Sequence, residues 1–145
     1  MSATRVPAWL RQQVADEAQH RCGYCLMAER VVGMPMELDH LIPEALGGGI
    51  EAENLWLACP GCNARKADRV LGIDPLTGES VRLFDPRRQS WDENFRWVAG
   101  GTQIEGVTPT GRATVATLQL NRAALVSARR AWVAVGWHPP SRCHP

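Results

Sequence analysis

Residues 8–20 (AWLRQQVADEAQH) set Trp9, Leu10, Val14 and Ala18 at roughly helical spacing, which predicts a short amphipathic helix. Residues 31–42 read as an extended run broken at Gly33-Met34-Pro35, with Asp39 and His40 near its end. Gly47-Gly48-Gly49 then calls for a mobile or sharply turned loop. Asn54-Leu55-Trp56-Leu57-Ala58 reads as a second strand. A helix is predicted from near Asn63 through Arg69, ending before Gly72. The predicted order is strand, loop, strand, helix.

Beyond Asp74-Pro75 the pattern changes. Residues 81–84 are a candidate strand, and residues 95–98 and 103–107 flank Ala99-Gly100-Gly101-Thr102, a β-hairpin signal. Thr110 could cap a short helix running to Gln119, with Gly111 in its first turn. Asn121 could cap a longer one, RAALVSARRAWVAV, stopped by Gly136 and the prolines after it. Ala124, Leu125, Ala128, Ala131, Trp132 and Val135 would form its buried stripe, and residues 141–145 a loose tail. Trp91, Trp97, Trp132 and Trp137 read as core more readily than as a base-stacking surface. A chain of 145 residues suits a single domain with a modest core. Here the core falls in residues 20–72, and residues 80–138 form a C-terminal extension.

Composition narrows the class. With 45% hydrophobic and 21% charged residues the chain resembles an ordinary soluble protein. No apolar run approaches the roughly eighteen residues of a membrane span. The opening MSATRVPAWLRQQ lacks the apolar segment of a signal peptide, so the expected location is the cytoplasm, with thiols reduced. Net charge is only +1 but unevenly spread: residues 1–80 carry seven Lys or Arg against eleven acids, and residues 81–145 nine Arg against four. That basic half is either a solvated face or a nucleic-acid footprint.

Two Cys-x-x-Cys units, Cys22/Cys25 and Cys59/Cys62, lie thirty-three residues apart. Each unit can turn both sulfurs toward one point, and two units complete a tetrahedral thiolate site for structural zinc. The competing readings are disulfides, which a reducing compartment disfavours, and unliganded structural thiols. Cys143 has no partner of similar spacing and reads as a free thiol in the tail. Between the two units fall Asp39, His40, the glycine loop and Asn54, with Asn63 just beyond. Asp, His and Asn together can hold a divalent cation and activate water.

Cys22-x-x-Cys25, Leu38-Asp39-His40-Leu41-Ile42-Pro43, Gly47-Gly48, Asn54-Leu55 and Cys59-x-x-Cys62-Asn63-x-x-Lys66 resemble the HNH endonuclease family in order and separation. The resemblance covers residues 22–69. It implies a ββα-metal (His-Me finger) core stapled by a four-cysteine zinc site; with the β-hairpin and two helices predicted after residue 80, the expected fold class is α+β. It also implies a metal-dependent endonuclease acting on DNA, with RNA as the other substrate to consider. The rival is a zinc-stapled nucleic-acid-binding module that has lost cleavage.

The resemblance assigns roles residue by residue. His40 is the general base, against the plainer reading of a structural histidine; an imidazole titrates near neutrality, which suits the task. Asp39 and Asn63 are the ligands of a catalytic Mg²⁺ or Mn²⁺. Asp39 could otherwise be a turn residue, and Asn63 could simply cap the helix. Asn63 stands where the family often has histidine, and an amide oxygen favours a harder ion. Asn54 orients His40 or pins the loop. Arg65, Lys66 and Arg69 contact flanking phosphates or are solvated surface charge.

Overall fold

The computed structural model describes residues 5–140. The tail predicted over residues 141–145, with Cys143, lies outside the described residues. The chain divides into two compact units. One runs up to Leu71 and includes Asp85–Gln89; the other comprises Gly72–Phe84 and the chain from Ser90 onward. Both mix helix and strand. No helix among the described residues is long and apolar enough to cross a membrane.

The first unit begins with α1 (Ala8–Glu17), where Leu10 and Val14, one turn apart, are buried. Trp9, expected on the apolar face, is 68% exposed. A residue next to Leu10 is turned about 100° away from it around the helix. The run expected to be extended starts instead with one helical turn, α2 (Glu29–Val32), closed by Gly33 in the left-handed region at φ 74°. Strand β1 (Glu37–His40) then pairs antiparallel with β2 (Leu55–Ala58), Glu37 opposite Ala58 and His40 opposite Leu55. Alternation gives this hairpin two faces. Leu38, Leu55 and Leu57 share one, and Leu55 with Leu38 packs against Leu10 and Val14 of α1. Glu37 and Asp39 share the other, which meets α3 (Pro60–Lys66).

Helix α3 starts earlier and stops earlier than predicted. Pro60 occupies its first turn, where a missing N–H costs nothing, and Cys59 caps it by accepting a hydrogen bond from the Cys62 N–H. Ala67, at φ 49°, ends it, so Arg69 lies beyond the helix. The segment Asp85–Gln89 is fastened to this unit by Arg87, which donates to the Leu55 carbonyl and to Glu17 and lies 4.9 Å over the Trp56 ring.

Strand β3 (Leu71–Ile73), whose last two residues belong to the second unit, pairs with β4 (Ser80–Arg82). The turn between them is built on Asp74, whose carboxylate accepts from Leu76 N at 2.9 Å and Thr77 Oγ1 at 3.1 Å. Arg112 grips the same carboxylate with two parallel bonds of 2.9 Å. One helical turn, α4 (Trp91–Asn94), leads into β5 (Phe95–Val98), which pairs with β6 (Gln103–Gly106) as predicted. Helix α5 (Pro109–Leu118) is capped by Thr108, two residues before the Thr110 expected; Thr110 donates to the Arg82 carbonyl instead.

Helix α6 (Ala123–Ala134) forms, but Asn121 does not cap it. Its side chain bonds both the N–H and the C=O of Ile104, extending the sheet edge. The buried face also differs from the expected stripe: Leu125, Val126 and Arg129 are inside, whereas Ala124, Ala131 and Val135 are exposed. The cause is Arg129, fully buried and donating to the carbonyls of Leu120 at 2.8 Å and Thr102 at 3.1 Å. Satisfying those carbonyls outweighs burying alanines, so the helix turns its arginine inward. Trp91 and Trp97 stack at 5.3 Å and Trp97 meets His138 edge-on, in keeping with a core role, but Trp137 is 55% exposed.

The hydrogen bonds from the Arg112 guanidinium hold the Asp74 carboxyl well below the usual carboxylate range. A depressed folded pKa stabilises in full above the unfolded value of about 3.9, and that contribution is lost as pH falls below it toward the folded pKa. Asp74→Asn is therefore expected to lower the thermal midpoint at pH 7, with the gap to wild type narrowing steadily below about pH 4. A gap that stays constant into strong acid contradicts this.

Candidate functional site

The two cysteine units converge within the first unit. Residues 22–25 form a tight turn in which Cys22 Sγ accepts from the N–H groups of Tyr24 (3.4 Å) and Cys25 (3.5 Å). Gly23 donates its N–H to the Leu57 carbonyl and lies so close to Trp56 and Pro86 that a side chain there would overlap both. This contact fixes the first turn on β2. The second pair sits at the start of α3, one cysteine as its cap and the other in its first turn.

All four sulfurs are buried and lie within 4.8 Å of one another. The cysteines are free of disulfides, and Cys25 Sγ stands 3.8 Å from Cys59 Sγ. A tetrahedron with zinc–sulfur bonds of about 2.3 Å sets its sulfurs about 3.8 Å apart, so this spacing fits one cation and not a covalent bridge. Burial pushes the Cys22 thiol well above its ordinary range. Hydrogen bonds from the other three thiols hold Cys59 far below its own. Four such groups in one buried place are mutually dependent on protons or on a cation. These cysteines could hold a zinc ion, and four sulfurs leave it no open position.

Beside α3 lies a cleft of about 190 Å³, whose lining includes Asp39, His40, Pro43, Glu44, Asn63 and Asp68. Asp39 and His40 are neighbours on a strand and so leave it on opposite faces; both reach the cleft because β1 ends at His40. Asn63 lies one turn inside α3, with its N–H bonded to the Cys59 carbonyl, so it is not the cap. Its Nδ2 donates to Glu37 Oε1 at 2.9 Å, which leaves the amide oxygen as its remaining polar group. The hard oxygens of Asp39 and Asn63 suit a cation such as Mg²⁺ or Mn²⁺. His40 Nε2 is shielded from solvent and has no hydrogen-bond partner among the described residues.

Asp39 is only 2% exposed, and a buried carboxylate needs partners. Tyr24 Oη donates to its Oδ2 at 2.5 Å, and Lys66 Nζ donates to its Oδ1 at 3.1 Å. Lys66 also reaches the His40 carbonyl at 3.2 Å and is 3% exposed. The sequence places Lys66 among candidate phosphate contacts; the structure puts it inside, because positions 63 and 66 lie one helical turn apart and face the same strand. Arg65 is half-buried, donating to the Gly61 carbonyl at 3.1 Å, and Arg69 is exposed.

Asn54 is tied to the loop and not to an imidazole. Its Oδ1 accepts from Ile42 N at 2.8 Å, and its Nδ2 donates to the carbonyls of Ile42 (3.0 Å) and Gly49 (2.9 Å). These bonds close the loop that carries Pro43 and Glu44 to the cleft wall. Sequence reasoning missed Tyr24 and Glu37. Glu37 was recoverable, since two residues from Asp39 on a strand means the same face. Tyr24 left no signal beyond its place between two cysteines.

No curated protein and no solved structure matches the chain. Residues 22–69, the span that holds both the sulfur cluster and the cleft, match the family model for HNH endonuclease.

Proposed function

We propose that the chain is a metal-dependent endonuclease that hydrolyses phosphodiester bonds in DNA, with a ββα-metal core formed by β1, β2 and α3. What carries the reading is the cleft shared by Asp39, His40 and Asn63, with an imidazole nitrogen that none of the described residues engages. The match of residues 22–69 to a nuclease family supports it.

In this reading zinc fills the four-cysteine cluster as a staple, clamping the first turn to α3 and so holding Asn63 opposite the end of β1. Asp39 and Asn63 would hold Mg²⁺ or Mn²⁺. Such an ion, when bound, would stabilise the negative charge that builds on the phosphate and the leaving 3′-oxygen. His40 takes a proton from water as that water attacks phosphorus on the side opposite the leaving oxygen. The phosphorus–O3′ bond breaks and the leaving oxygen takes a proton from solvent water, leaving 5′-phosphate and 3′-hydroxyl ends. Asn54 keeps the cleft wall in place through the loop. Exposed Arg69, with Arg65, would contact flanking phosphates; Lys66 is bonded to Asp39 and the His40 carbonyl instead.

Two measurements test this. With Mg²⁺ or Mn²⁺ and plasmid DNA, wild type is expected to nick or cut, and His40→Ala to slow cleavage by about 10²-fold or more. If His40→Ala cuts as fast as wild type, or wild type does not cut, the enzyme reading fails and a binding module remains. Elemental analysis of the purified protein should find about one zinc per chain, and stripping it should unfold the first unit. Full helical signal retained in a zinc-free sample counts against the staple.

A further inference from the structure

The carboxylate assigned here to a divalent ion is already engaged by a cation of the chain itself. Lys66 Nζ lies 3.1 Å from Asp39 Oδ1 and 3.2 Å from the His40 carbonyl, with both side chains almost wholly buried. Tyr24 holds the other oxygen, Oδ2, through its hydroxyl. The two anchors differ in kind. Tyr24 is neutral and fixes direction, whereas Lys66 brings a full positive charge to the atom that faces α3.

We propose that Lys66 is a built-in counter-cation and a positioning residue: it keeps Asp39 in place before metal arrives and yields Oδ1 to the incoming divalent ion. The inference rests on the reading of Asp39 as a metal ligand. An unpaired carboxylate at 2% exposure is costly, so without metal something must neutralise it, and α3 delivers an ammonium from the position one turn beyond Asn63. The same charge then opposes the metal. A neighbouring unit charge at this range changes a carboxylate's affinity for a proton by roughly ten- to a thousandfold, and a doubly charged ion feels the repulsion more strongly. The cleft is thereby set to bind metal weakly on its own. A phosphate entering beside it would offset the excess positive charge, which favours filling of the cation site together with the nucleic acid.

The test is direct Mn²⁺ binding to the full, zinc-loaded chain, read from the electron paramagnetic resonance of free Mn²⁺ at fixed pH and salt. Lys66→Met and Lys66→Gln remove the charge, and both are expected to bind Mn²⁺ at least about tenfold more tightly than wild type. Lys66→Arg keeps the charge and should stay within about twofold of wild type. A purely structural lysine predicts the opposite sign, since its loss would loosen Asp39 and weaken binding. Equal or weaker Mn²⁺ affinity in a folded neutral variant overturns the proposal. Asp39→Asn separates the two layers. If it leaves Mn²⁺ binding intact, the ligand assignment fails and this inference with it; if it abolishes binding while the neutral variants bind no tighter, only the inference fails. Should neither neutral variant fold, a Mn²⁺-soaked crystal of wild type decides: Nζ must have left Oδ1, and an unmoved ion pair beside bound Mn²⁺ refutes competition.

Discussion

Four buried sulfurs brought within 4.8 Å of one another are the constraint on which the rest of the HNH span depends. They join three pieces that local structure alone would leave independent: the turn after α1, the end of β2 and the start of α3. A four-residue hairpin strand and a seven-residue helix are too short to be stable by themselves. Their mutual orientation therefore has to come from tertiary contacts, and the sulfur cluster is the most concentrated of these. Because Cys62 and Asn63 are adjacent on α3, about 100° apart around the helix, fixing the first also fixes the direction of the second, which lines the cleft.

The cleft answers a second constraint, the cost of burying charge. Asp39 is placed almost wholly out of solvent, and the fold supplies a hydroxyl from the cysteine turn and an ammonium from α3. The carboxylate is thus bonded to two of the three pieces that the sulfurs join, the cysteine turn and α3. The arrangement ties sulfur-cluster geometry to cleft geometry through single side chains, with Tyr24 lying between two of the cysteines. His40 contrasts with its neighbour. Its main-chain oxygen serves the lysine, and its Nε2 serves none of the described residues.

The second unit obeys the same rule with different means. Of the two fully buried charged residues Arg129 and Asp74, Arg129 donates to backbone carbonyls through its two terminal nitrogens and Asp74 pairs with a guanidinium. These interactions decide which face of α6 turns inward and how the β3–β4 turn closes. The aromatic contacts among Phe84, Phe95, Trp91 and Trp97 then fill the space around them.

The cysteine spacing, the Asp-His pair, the two hairpins and the last two helices were legible in the sequence, because each is set by residues near one another along the chain. Turn-forming glycines, strand alternation and ligand spacing are local properties. What a side chain does once buried is not. Whether Lys66 met solvent or Asp39, whether Asn121 capped a helix or mended a sheet edge, and whether Arg129 pointed in or out all depended on which distant donors and acceptors needed a partner. Periodicity scores an arginine as polar and an alanine as apolar, and so it placed Leu125 inside correctly but left Arg129 out of the buried face of α6 and put Ala124, Ala131 and Val135 in it. Only folding, by bringing unsatisfied carbonyls and a buried carboxylate within reach of those cations, reversed the assignment.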